Sequence, residues 1–142
     1  MKIQLLDKRL PKPKPATIYS AGIDLHACID TPLTLLPGDS KKLNSGIKVA
    51  IPTYWYGEMH IRSSIGMIGL NLMNSVGIID SDYRGEIMIP VYNRSNIQIA
   101  INPMQRIAQL VISQHLDYGY IQVVKSLDVT ERGEGGFGHT GE

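Results

Sequence analysis

The chain has 142 residues, 43% of them hydrophobic and 19% charged, with a formal net charge of +1. That length suits one domain burying roughly two-thirds of its extended-chain surface, and the near-neutral charge leaves no footprint for duplex DNA or an anionic membrane, both of which favour a strongly basic face. The single cysteine, Cys28, excludes an intrachain disulfide and a cysteine zinc cluster and reads as a small buried hydrophobe.

From the N-terminus, MKIQLLDKRLPKPKP has no long apolar run, so neither a signal peptide nor an anchor is expected. No later stretch approaches the ~20 apolar residues of a spanning helix. A cytoplasmic protein, or one of the host cytoplasm if the source is viral, is the expectation. Lys12–Pro15 is read as an extended, exposed segment. Short apolar and β-branched runs then recur: KIQLL, GIDLHACI, LTLL, GIKVAI, YGEMHI, GEIMIPVY, IQIAI, RIAQLVI and YIQVV are the predicted strands. Turn signals separate them, among them Pro37-Gly38-Asp39, Asn44-Ser45-Gly46 and Asn102-Pro103. Such spacing predicts an all-β antiparallel sandwich or barrel. Ser64–Leu72 is the best helical candidate, but two glycines reduce it to at most one short turn.

Three clusters could carry chemistry. Arg62-Ser63-Ser64-Ile65-Gly66-Met67 places a cation and two hydroxyls at a strand end, fit either for phosphate oxygens or for a plain turn or helix cap. Asn74–Glu86, NSVGIIDSDYRGE, packs Asp80, Asp82, Tyr83, Arg84 and Glu86 behind an apolar strand. It reads either as a charged hairpin turn or as a site in which Asp80, partly shielded at the strand end, orients and deprotonates water, with the Tyr83 ring laid against a sugar. In PMQRIAQL, from Pro103, the amide of Gln109 interrupts an apolar strand and needs partners, either structural groups or ligand oxygens.

The tail, Glu131–Glu142, holds five glycines and Phe137, the only phenylalanine. It is either a frayed terminus or a mobile lid, whose glycines allow close backbone approach to phosphates and whose aromatic ring covers a base. There is no GxxxxGK[ST] loop, HExxH or GxSxG, and the four histidines show no metal-ligand spacing. An enzyme of this composition would use water as nucleophile and hold its metal mainly through the substrate.

Five segments together resemble the trimeric dUTPase family: AGIDLHA from Ala21, RSSIGM from Arg62, GIIDSDYRGEI from Gly77, QRIAQL from Gln105 and RGEGGFGHTG from Arg132, in the family's order and spanning residues 21–141. The resemblance implies a distorted antiparallel β jelly roll of the β-clip type, with residues 1–130 as a single β domain. Residues 131–142 would be a flexible arm closing over an active site of a neighbouring subunit. It implies a homotrimer that uses Mg²⁺ to hydrolyse dUTP to dUMP and pyrophosphate, limiting uracil incorporation into DNA and supplying dUMP for thymidylate synthesis. Asp80 matches the water-activating aspartate, which also holds the 3′-hydroxyl. Tyr83 matches the tyrosine that stacks on the deoxyribose, and Asn74 the asparagine of the uracil pocket. Backbone groups around Ile78, Ile79 and Met88 would read the uracil edge. Arg62, Ser63, Ser64 and Gln109 match phosphate contacts, and Asp24 supports the metal-triphosphate through water. Arg132 and Phe137 match arm residues that meet the γ-phosphate and cover the uracil. No nucleic-acid or membrane partner is implied.

The chain departs from the family where Pro-Arg-Ser-Gly becomes Ile61-Arg62-Ser63-Ser64, where Met104 and Gln105 replace a glycine and an acid, and where His139 fills a position that is often serine. Ser64 either adds a hydroxyl contact or crowds the phosphates; the Met104-Gln105 turn is expected to differ without effect on catalysis. Two rival functions remain open at this point: a dCTP deaminase-like enzyme of the same superfamily, and a regulatory binding module on the same scaffold.

Overall fold

Period-two alternation of large apolar side chains gives this chain strands with one face for the core and one for solvent. In the computed structural model, which describes residues 1–136, ten strands follow one another: β1 (Lys2–Leu5), β2 (Gly22–His26), β3 (Leu33–Leu35), β4 (Ser40–Ala50), β5 (Trp55–Ile61), β6 (Leu70–Leu72), β7 (Gly77–Ile79), β8 (Glu86–Asn93), β9 (Ile99–Ile101) and β10 (Arg106–Gln114). Every pairing among them is antiparallel. They form one sheet ordered β1-β4-β8-β6, a second ordered β2-β10-β5-β7, and a ribbon of β3 and β9.

Strand β8 shows the alternation directly: Ile87, Ile89, Val91 and Asn93 are buried, while Met88, Pro90 and Tyr92 face outward. The buried residues of both sheets join one cluster, with Leu25, Met59, Ile107 and Leu110 from the second sheet meeting Leu43, Val49, Ile87 and Ile89 from the first. Each fully buried side chain of this size contributes about 1.5–3 kcal/mol. The architecture is the jelly-roll type expected from the sequence. Cys28 is half-buried against the core, and burial pushes its thiol up to about 11, so it stays protonated near neutrality.

The helical candidate contracts to one short helix, α1 (Ser63–Met67). Gly69, at φ +90°, ends it and turns the chain into β6. The strand expected at YIQVV does not form. A 3₁₀ turn occupies Tyr118–Tyr120, and the described residues beyond it, 121–136, have no strand partner, leaving Val123, Leu127 and Val129 almost fully exposed. Sheet edges remain at β1, β6, β2 and β7, but among the described residues this run pairs with none of them.

Asn93 is the polar pivot of the first sheet. Its side chain is fully buried, and its amide donates to the carbonyls of Leu35 (3.0 Å) and Ile97 (2.8 Å). Its oxygen accepts from the N–H (3.0 Å) and Oγ (2.7 Å) of Ser95. All four hydrogen-bonding sites of the amide are used, so the residue ties the end of β3 to the loop before β9. Asn93→Leu is therefore expected to strand buried polar partners and cost about 3 kcal/mol. A urea midpoint equal to that of the unaltered protein, at matched protein concentration, would contradict this.

Candidate active site

Strand β7, at the edge of the second sheet, and β8, inside the first, are joined by the loop Asp80–Gly85. Beside this loop lies a cavity of about 250 Å³ lined by Asn74, Ile78, Ile79, Asp80, Tyr83 and Met88, together with Lys42, Met59, Gly77, Ile87 and Pro90. Six positions singled out in the sequence thus meet around one hollow. The cavity has two ends. Asp80 and Tyr83 belong to the loop, whereas Asn74 and Pro90 stand together at the far end, where the N–H of Met73 donates to the Pro90 carbonyl at 2.8 Å. The turn that carries Asn74 also holds Ser75 at φ +61°, an unfavourable conformation for a residue other than glycine.

The charged run after Ile79 divides by role. Arg84 bends back and donates from Nη1 to the carbonyls of Ser81 (2.7 Å) and Tyr83 (2.9 Å), closing the loop on itself. Glu86 accepts from the Gly46 N–H (2.8 Å) and the Asn44 amide (3.3 Å), pinning the end of the loop to an irregularity in β4. Tyr83 donates from its hydroxyl to the Glu86 carbonyl at 3.0 Å, which fixes its ring across Gly85. A side chain at Gly85 would collide with that ring. Asp80 is left exposed at the rim of the cavity.

A second group forms on the outer face of the other sheet. Asp24 on β2, Gln109 on β10 and His60 on β5 are register partners across three adjacent strands. Asp24 is gripped from both sides: Arg62 Nε lies 3.0 Å from Oδ1, and Arg106 Nη1 lies 3.0 Å from Oδ2. Ser63 and Ser64 follow Arg62 in the first turn of α1, both exposed. Burial holds the His26 imidazole below its usual value, with Arg106 and Arg62 adding to that against the opposing pull of Asp24, which keeps the ring neutral at pH 7. This patch of carboxylate, amide, hydroxyls and two guanidinium groups suits an anion that would displace the Asp24 carboxylate from the arginines.

The two groups are separate within one chain. Gly57 pairs with Ile79, so Asp80 is level with Tyr56, six residues from Arg62 along β5. At the rise of a strand that is about 20 Å, well beyond the reach of a triphosphate. Arg132 stands in neither group: it is exposed, and its Nε donates to the Gly135 carbonyl at 2.8 Å. Phe137 and His139 lie outside the described residues.

The family model for dUTPase matches residues 8–141. The chain belongs to the dUTPase family. It is 42% identical over 146 residues to the deoxyuridine 5′-triphosphate nucleotidohydrolase of Janthinobacterium sp. (strain Marseille), covering 100% of this chain and 97% of that protein. It is 43% identical over 143 residues to the protein of the same name from Burkholderia mallei (strain SAVP1), covering 98% and 96%. A solved Staphylococcus bacteriophage 80alpha dUTPase with dUPNHPP superposes with a TM-score of 0.86 at 25% identity, covering 99% of this chain and 98% of that one. The dCTP deaminase-like and regulatory-module alternatives find no support in these likenesses.

Family membership explains one irregularity. Met104, where dUTPases often carry glycine, sits at φ +59°. The turn is held by the Met104 N–H, which donates to the Ala27 carbonyl at 2.8 Å, and by the Gln105 side-chain oxygen, which accepts the Asn102 N–H at 2.8 Å, a role open to the acid that often stands there. No role falls to Arg106, His26, His60 or Lys42 from the sequence alone. Arg106 lies inside a recognised segment, and its charge at the head of an apolar strand was the available signal. His60 and Lys42 are placed by strand register, for which the chain offers no local cue.

Proposed function

We propose that this chain is a dUTP diphosphatase that hydrolyses dUTP to dUMP and pyrophosphate, acting in the cytoplasm (the host's, for a viral source) to limit uracil incorporation into DNA and supply dUMP for thymidylate synthesis. The observation that carries the reading is the single cavity beside the loop joining β7 to β8, with Asn74, Ile78, Ile79, Asp80, Tyr83 and Met88 around it. Uracil enters between the strands, where main-chain groups near Ile78, Ile79 and Met88 match its edge; an unmatched buried polar group costs about 1–3 kcal/mol, which disfavours cytosine. The deoxyribose lies on the Tyr83 ring. Asp80 holds the 3′-hydroxyl and orients water in line with the α-phosphorus. As the water oxygen bonds to phosphorus, Asp80 takes its proton and the α–β bridging bond breaks, with pyrophosphate as leaving group.

The phosphates are held by Arg62, Ser63, Ser64, Gln109 and Arg132, from chains other than the one supplying Asp80. The separation of about 20 Å within one chain supports a homotrimer with sites at subunit interfaces. So do the exposed apolar side chains after Tyr120, which a neighbouring subunit would cover. Residues 131–142 act as an arm distinct from the domain of residues 1–130, with Phe137 closing over the base and excluding water.

The described residues contain no group of three or more metal-ligating side chains, and Asp24 already balances two arginines. Such a donor set fits a Mg²⁺ ion bound chiefly by phosphate oxygens and water, with Asp24 supporting it through water. When bound, Mg²⁺ offsets the negative charge that repels the nucleophile.

Pyrophosphate release from dUTP, UTP, dTTP and dCTP, each with and without Mg²⁺, tests the reading. Magnesium-dependent release from dUTP alone is expected; ammonia from dCTP, or no turnover of dUTP, would overturn it. Tyr83→Ala is expected to narrow the preference for dUTP over UTP by at least about tenfold, since a lost steric contact with the 2′-hydroxyl is worth roughly 1–3 kcal/mol. An unchanged ratio of kcat/KM would locate sugar discrimination elsewhere.

A further inference from the structure

Among the described residues Lys42 is the one cation lining the nucleoside cavity, and the fold sets it at the end away from the reacting phosphate. On β4 it is the register partner of Pro90, and Pro90 is tied through the Met73 N–H to the turn bearing Asn74. Asp80 and Tyr83 occupy the opposite end. The rest of the lining is largely apolar: Met59, Ile79, Ile87, Met88 and Pro90. Among the described residues no carboxylate pairs with the Lys42 ammonium.

The chemistry of the base supplies the next step. In a pyrimidine nucleoside, C4 lies directly across the ring from N1, the atom that carries the sugar. With the sugar on Tyr83 and Asp80, the far end of the cavity meets the C4 substituent. That substituent is a carbonyl acceptor in uracil and an amino donor in cytosine. We propose that Lys42 is a specificity-determining residue of this site, its ammonium donating to O4 of the uracil and opposing the amino group of cytosine. This inference rests on the dUTP reading above, and it adds a side-chain contact to the main-chain recognition already described. An ammonium has three donors and no acceptor, so it discriminates between these two substituents by sign. A charge-assisted hydrogen bond is stronger than a neutral one, although exposure of Lys42 to solvent weakens it.

The test compares the unaltered protein with Lys42→Met, which keeps the apolar stem, and with Lys41→Met, a neighbouring lysine that does not line the cavity. Substrates are dUTP, dCTP and the deoxyribonucleoside triphosphate of 2-pyrimidinone, which lacks O4. For Lys42→Met we expect KM for dUTP to rise about tenfold with kcat within about twofold, and the dUTP-to-dCTP ratio of kcat/KM to fall by a similar factor. The decisive reading is a cycle between residue and substrate: removing O4 should penalise the unaltered protein and Lys41→Met but leave Lys42→Met nearly unaffected. A loss of packing alone would raise KM for dUTP and the O4-less analogue equally, and would overturn the proposal, as would an unchanged KM for dUTP. Failure of the unaltered protein to hydrolyse dUTP would instead overturn the functional reading.

Discussion

Asp80→Asn is expected to slow single-turnover hydrolysis of dUTP by about a thousandfold, within the range typical of a lost general base, while nucleotide binding changes little. The asparagine keeps the size and can still hydrogen-bond the 3′-hydroxyl, but it cannot take a proton from water. The surroundings of Asp80 support a clean experiment. It is exposed at the cavity rim, so its replacement leaves no buried group without a partner. The loop is held independently of it, by Arg84 on two carbonyls and by the Tyr83 hydroxyl on Glu86. Binding of a non-hydrolysable dUTP analogue, measured by calorimetry, serves as the control. A variant that binds the analogue normally and turns over at the original rate would remove Asp80 from the reaction.

The contrast between Asp80 and its neighbours shows where the sequence is legible and where it is not. Alternation predicted eight of the nine runs as strands correctly because burying one face of a strand is a local, period-two requirement. It failed at YIQVV because a strand also needs an edge to pair with, and among the described residues that run docks on none. The dense charged run from Asp80 to Glu86 reads in sequence as one cluster. In three dimensions Arg84 and Glu86 hold the loop, and only Asp80 and Tyr83 are turned to the cavity. Nothing local in the sequence separates those roles, since they depend on contacts as distant as Gly46. Asp24, Gln109 and Arg62 converge through strand register, which follows from the global sheet order. A resemblance over five segments could name these residues in advance, whereas spacing along the chain could not. The same resemblance also makes sense of Met104, whose left-handed backbone records a position that relatives fill with glycine.

A mixed-subunit experiment tests the division of the site most directly. Asp80→Asn and Arg62→Ala should each be nearly inactive, the first for want of a base and the second for want of a phosphate cation. Arg62→Ala should still fold, because Arg106 remains to balance Asp24. When the two variants are co-expressed with different tags and purified as mixed oligomers, a site drawing Asp80 from one chain and Arg62 from another can be whole. Its Asp80 must come from an Arg62→Ala chain and its Arg62 from an Asp80→Asn chain. Around any mixed trimer, two-to-one or one-to-two, that order of neighbours occurs once, so purification of the mixed oligomers should restore about a third of the sites. A site contained in one chain gains nothing from mixing, since every chain then carries one lesion. If Asp80 and Arg62 serve one site as proposed, the register that sets Asp80 level with Tyr56, six residues along β5 from Arg62, predicts the first outcome. Mixed oligomers no more active than the better parent would show that the two residues serve no common site.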